Sequence, residues 1–238
     1  SAIASYLFVR NNHEILTHDQ IISSIPIKTR SIMGSDNKPE TKAEPKKINP
    51  FTVLIPCLVF LFVGTGIAAI IFNFDGNKDK YEEKIAAAAA QDLHWLFLGI
   101  VVFGRMVVYT NFYSMGFKSE LKGNVRANPF YYRTDSGDSV VLESEGNLGR
   151  FNRANRSVQH MVENFGSFLV GMVLAGNIFP KAVFFLVCIY SLGRVLHQSG
   201  YTGGYGGHGL GFVLANVIAG QTMDGLCLLV YLKGSGTI

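Results

Sequence analysis

Arg153, Arg156, His160, Glu163 and Ser167 follow one another at spacings of three, four, three and four within the run Phe151–Phe168. At about 100° and about 1.5 Å per residue, such spacings put all five on one face of an α-helix over roughly 20 Å. The run continues as Phe168-Leu-Val-Gly-Met-Val-Leu-Ala-Gly176, so the polar stripe begins at a membrane surface and descends toward hydrocarbon depth. Ionisable groups there are costly unless they meet partners or line a polar site. The stripe therefore announces either structural pairing or a polar binding site.

Arg105, Glu163, Arg194 and Asp224 are the charged residues that fall inside apolar runs. Arg105 lies ten residues before the end of its run and Glu163 about eight into the next. Antiparallel packing would bring the two to similar depth, and an Arg105–Glu163 ion pair joining two helices is the expectation. Asp224 has no evident partner. His160, His197 and His208 invite a metal or haem reading, and His160-x-x-Glu163 has helical ligand spacing. A di-metal bundle needs several more carboxylates than these runs contain, and haem needs two histidines facing across one gap. Satisfied histidines are the expectation, with no metal. The glycines from Gly200 to Gly211 lack the Gly-Lys-Ser/Thr of a phosphate loop, and Gly207-x-x-x-Gly211 predicts close helix packing instead.

The elements that must position these residues are membrane spans. Hydrophobic residues make up 48% of the 238 and charged residues 16%, too apolar for an ordinary soluble domain. Basic residues are not interleaved with aromatics, so nucleic acid is not an expected partner. Cys57, Cys188 and Cys227 all fall in apolar runs and read as buried thiols. Residues 1–50 form a polar extramembrane arm, and 51–73 an uncharged first span. Residues 74–238 hold a charged loop at 75–83, a four-helix bundle and a long irregular polar loop at 116–150. The bundle spans are expected at 93–115, with 85–90 leading in, and at 155–176, 182–196 and 209–232. Residues 1–50 and 116–156 carry seven basic residues each, against three in 74–92 and one near Lys181. The arm and the long loop thus share the positive, cytoplasm-like or matrix-like side.

Arg156-x-x-x-x-x-x-Glu163-Asn164 followed by an apolar run ending in Ala175-Gly176, together with Leu192-Gly-Arg-Val-Leu-His-Gln-Ser-Gly-Tyr201, resembles the second and third helices of the MAPEG superfamily. These are membrane proteins of eicosanoid and glutathione metabolism. The resemblance covers about 92–232, and Val125-Arg-Ala-Asn-Pro129 is similar to a segment after helix one in some members. It implies a four-helix transmembrane bundle, and the apolar run at 51–73, which lies outside the resemblance, adds one extra N-terminal transmembrane helix to make an all-α membrane protein. It also implies a homotrimer with glutathione bound between subunits. By resemblance, Arg156 would hold a glutathione carboxylate, Glu163 would be a buried glutamate on the same face and Tyr201 would stand at the tripeptide. His160 replaces the asparagine of most members, and Arg105 joins the cofactor-binding candidates.

Active members carry a thiolate-stabilising arginine within about ten residues of the position of Tyr201, whereas no Arg or Lys occurs here between Val195 and Leu232. The catalytic candidates left are His208, Arg194 and Tyr201, and neutral imidazole stabilises a thiolate far less than guanidinium does. The resulting expectation is a catalytically impaired accessory subunit of a larger membrane complex, with partners on residues 1–73, in the mitochondrial inner membrane. The alternative is an active glutathione transferase or peroxidase of the endoplasmic reticulum, acting on lipophilic electrophiles or lipid hydroperoxides.

Overall fold

Asn49 starts the first helix by accepting the Phe51 N–H at 3.0 Å, and Pro50 takes the first helical position, where its missing N–H costs nothing. The uncharged run then carries α1 (Pro50–Phe74). The description is of a computed structural model and covers residues 48–117, 130–134 and 139–237. Residues 1–47 of the arm expected at 1–50, and the segment Val125–Pro129, lie outside the described residues.

The charged stretch expected as a loop is largely helix α2 (Lys78–Ala90). Its alanines and straight-chain residues favour helix, and Lys78 and Glu82 face each other at i, i+4, 3.9 Å apart. Asp92, at φ 58°, separates it from α3 (His94–Met115), so the alanine run does not lead into the span as one helix. The 116–150 loop also holds more order than expected. Strands β1 (Tyr132–Thr134) and β2 (Val140–Leu142) pair antiparallel, with Arg133 opposite Val141. Asn152 pins this hairpin: its Nδ2 donates to the carbonyls of Tyr131 and Glu143 at 2.8 Å each, and its Oδ1 accepts from Tyr131 N–H at 2.8 Å. Local strand patterning in this loop is short, and a distant helical side chain completes it.

Three further helices follow. The first, α4 (Gly146–Gly176), begins nine residues before the expected span. It is followed by α5 (Pro180–Gly203) and by α6 (Gly209–Gly234), whose Val213–Gly220 portion is π-helical. Among the described residues, α1, α3, α5 and α6 are long and apolar enough to cross a membrane. The polar stripe makes α4 too hydrophilic for that criterion, although at 31 residues it is the longest of these helices. The molecule is thus an all-α, multi-pass membrane protein: the bundle α3–α6 with α1 added at its side.

The bundle's core is Phe103 and Met106 from α3, Met161, Phe168 and Met172 from α4, Val183, Val187 and Tyr190 from α5, and Ala215, Ala219 and Met223 from α6. Phe168 and Tyr190 stack at its centre with ring centroids 4.0 Å apart. A second cluster joins Val53 and Cys57 of α1 to Tyr109, Tyr113, Phe117, Phe151 and Ala154. At the opposite end, Lys181 pairs with Asp92 at 2.8 Å. These two ends fix α3, α4 and α5 as alternating up and down, as the basic-residue count requires.

Candidate functional site

Close approach of α5 and α6 creates the site. A Cβ on Gly211 would meet the backbone of His197 and Gly193, one on Gly193 would come within 2.6 Å of Ala215 N, and Gly200 and Gly207 would each collide with the other's carbonyl. The short link between these helices therefore folds back tightly, and His208 is carried against His197. Gln198, 1% exposed, ties the same region to the other helices by donating to Thr110 O at 2.8 Å, Ser114 Oγ at 3.2 Å and Ala154 O at 3.3 Å.

Arg156, His160, His197, Tyr201, His208 and Phe212 line a cavity of about 240 Å³ beside this junction. The rings form a continuous wall: His160 stacks on His197 at 5.4 Å, His197 meets His208 edge-on at 5.4 Å, and Tyr201 stands 5.4 Å from His208. His208 Nδ1 is buried with no hydrogen-bond partner among the described residues. Four of the residues anticipated from sequence, Arg156, His160, Tyr201 and His208, thus come together. His197, considered from sequence only as a metal or haem ligand, and Phe212, which the sequence did not single out, complete the wall.

Arg194 stands behind this wall. It is 1% exposed; its Nη1 lies 3.1 Å from His160 Nδ1 and its Nη2 donates to Ser157 O at 2.8 Å. A guanidinium can only donate, so His160 Nδ1 is an acceptor and its N–H is on Nε2. Ser157 Oγ lies 2.8 Å from His197 Nδ1, fixing the second ring. The buried cation orients the imidazoles and does not line the cavity. Arg153 is likewise a strut: its Nη1 donates to Ser144 O at 2.7 Å and its Nη2 to Thr202 O at 3.1 Å, with its guanidinium over the Tyr205 ring.

The expected Arg105–Glu163 pair does not form. Glu163 accepts from Arg156 Nη1 at 2.9 Å along one face of α4, two turns apart. The expected burial of Glu163 does not hold either, since its side chain is 48% exposed. Arg105 turns to α1 and donates to Cys57 O at 2.9 Å. The two residues thus face different neighbours, Arg105 the Cys57 carbonyl of α1 and Glu163 the Arg156 guanidinium of its own helix. Asp224 lines a separate cavity of about 190 Å³ with Asn164, Ser167, Tyr190, Asn216 and Gln221. Tyr190 Oη and Asn216 Nδ2, the latter in the π-helical turn, are buried and have no partner among the described residues. No group of three or more His, Cys, Asp or Glu among the described residues is arranged to hold a metal ion.

The family model described as MAPEG family matches residues 123–220, which include the hairpin, α4, α5 and the π-helical turn. Comparison with curated proteins and with solved structures gave no match. The matched segment is the one that carries the Arg156 stripe, the end of α5 at Tyr201 and the packed glycines, and over these residues the chain is similar to the MAPEG family.

Proposed function

We propose that this is a catalytically impaired MAPEG-type membrane protein that serves as an accessory subunit of a larger membrane complex. The observation that supports this reading most is the placement of Arg194. The guanidinium behind the histidine wall has two nitrogens engaged inside the protein and is 1% exposed. The cation that does line the cavity, Arg156, is paired with Glu163. A tripeptide such as glutathione would find a carboxylate anchor in Arg156, imidazoles and the Tyr201 ring. Among the described residues lining the cavity it would find no unpaired fixed charge to act on its sulfur. Lowering a thiol from about 8.5 into the neutral range requires such a charge or strong donors.

α1 supports the accessory role. From Phe60 to Phe74 its apolar side chains are largely uncovered, with Phe62, Ile67, Ile70 and Phe74 each more than half exposed. Lipid or neighbouring subunits would cover them, and the mitochondrial inner membrane is the proposed location.

A second reading, an active transferase or peroxidase of the endoplasmic reticulum, draws on His208, whose ring stands beside Tyr201 in the cavity wall and whose Nδ1 has no partner among the described residues. Ultraviolet difference spectra on adding glutathione to the purified protein at neutral pH separate the two. Binding without a thiolate band is expected. A band that disappears in His208→Ala would establish the enzyme reading instead.

A further inference from the structure

Asp224 is a mid-span carboxylate that no cation answers. It lies fifteen residues into the span at 209–232, and Gln221 lies twelve. Asn164 and Ser167 lie nine and twelve residues into the span at 155–176, which enters from the same side. At about 1.5 Å per residue all four stand roughly 14–23 Å below that surface, around the middle of a hydrocarbon core about 30 Å thick. They are exposed on the outside of the bundle and line the cleft of about 190 Å³ between α4 and α6. No Lys, Arg or His among the described residues lies within ion-pair distance of Asp224. Behind the cleft, Tyr190 Oη and Asn216 Nδ2 are enclosed without partners among the described residues, and the adjoining turn is π-helical, a departure that often marks a functional position.

Hydrogen bonding decides what the cleft presents to a ligand. Asn164 Nδ2 donates to His160 O at 2.7 Å, and Ser167 Oγ donates to Asn164 O at 3.2 Å. Both side chains turn a proton back onto their own helix, so Asn164 Oδ1 and the Ser167 lone pairs remain as acceptors in the same cleft as the Asp224 carboxylate. We propose that this cleft binds the ammonium group of a small lipophilic amine, with Asp224 as its counter-ion and Asn164, Ser167 and Gln221 as neutral acceptors. A carboxylate at this depth is costly until it meets a cation, and a primary ammonium brings three donors to a set of acceptors. The described residues hold no group of three or more His, Cys, Asp or Glu for a multivalent metal. The cleft is also far roomier than the about 10–15 Å³ that one water-sized particle needs. An amine dissolved in the bilayer reaches the exposed side chains directly, whereas a hydrated ion would have to shed its water to enter. The cleft shares no residue with the histidine-lined cavity, and it stands independently of the function proposed for that cavity.

The test is equilibrium dialysis of radiolabelled hexylamine against the full chain in a nonionic detergent at neutral pH. Saturable uptake of about one hexylamine per chain is expected, with unlabelled hexylamine displacing it at least about tenfold better than hexanol, the same chain without the charge. Asp224→Asn, isosteric and at an exposed position, is expected to fold and to lose that preference. Ser167→Phe is expected to abolish uptake by filling the cleft while leaving Asp224 in place. Equal displacement by hexanol would overturn the proposal without any variant having to fold. So would an absence of saturable uptake, displacement by sodium chloride as effective as by hexylamine, or a preference unchanged in folded Asp224→Asn.

Discussion

Arg156 and Glu163 meet at 2.9 Å on the open face of α4, with 46% and 48% of their side chains exposed. Arg156 lines the histidine-lined cavity, and the pair occupies the cation that would otherwise anchor an incoming carboxylate. In an aqueous setting such a pair contributes about 0–1 kcal/mol, so its main effect is on who may bind Arg156.

Glu163→Gln should accordingly change thermal stability little, by less than about 1 kcal/mol, while tightening the binding of glutathione measured by calorimetry. Arg156→Ala should weaken that binding. Unchanged affinity in both variants would mean that the cavity does not take the tripeptide through Arg156.

Gln198 is buried and donates toward three acceptors on α3 and α4. Gln198→Ala removes the side chain that joins three helices and leaves a void, a loss expected at about 2–4 kcal/mol. Thermal unfolding in detergent would read it as a clear drop in melting temperature. Ser199→Ala, one position away and exposed, should leave the melting temperature unchanged.

Gly211 sits where a Cβ would overlap the His197 backbone, whereas one at Gly206 would meet nothing within 4 Å. Gly211→Ala must push α6 away from α5 at a cost of about 1–3 kcal/mol, and it should open the His197–His208 contact. Gly206→Ala should be tolerated. Equal melting temperatures for the two variants would count against the close-packed junction.

Removing residues 1–73 takes Val53 and Cys57 out of the cluster with Tyr109 and Tyr113, and deprives Arg105 of the Cys57 carbonyl. The truncated chain is expected to keep its helical circular dichroism, to melt at a lower temperature and to lose the membrane proteins that copurify with the full chain. Complete unfolding would instead make α1 part of the bundle's core.

Much of the architecture is dictated along the chain itself. Twenty or so uncharged residues after Pro50 can satisfy their backbone in a bilayer only as a helix, and the i, i+3, i+4 stripe from Arg153 to Ser167 needs no tertiary information to become one face of α4. The glycine spacing at Gly207 and Gly211 likewise predicts the close packing that places His208. Tertiary structure decided which charges meet. Equal depth in two antiparallel helices suggested that Arg105 pairs with Glu163, but depth fixes only one coordinate. Rotation about each helix axis is set by side-chain packing across the bundle, and α1 claims the Arg105 side of α3 while Glu163 turns back to Arg156. The same holds for Arg194, whose burial behind His160 follows from how α4 and α5 interlock. The hairpin stayed hidden because two three-residue strands carry too little pattern to read, and the Asn152 side chain that secures them comes from a helix ten residues farther along the chain.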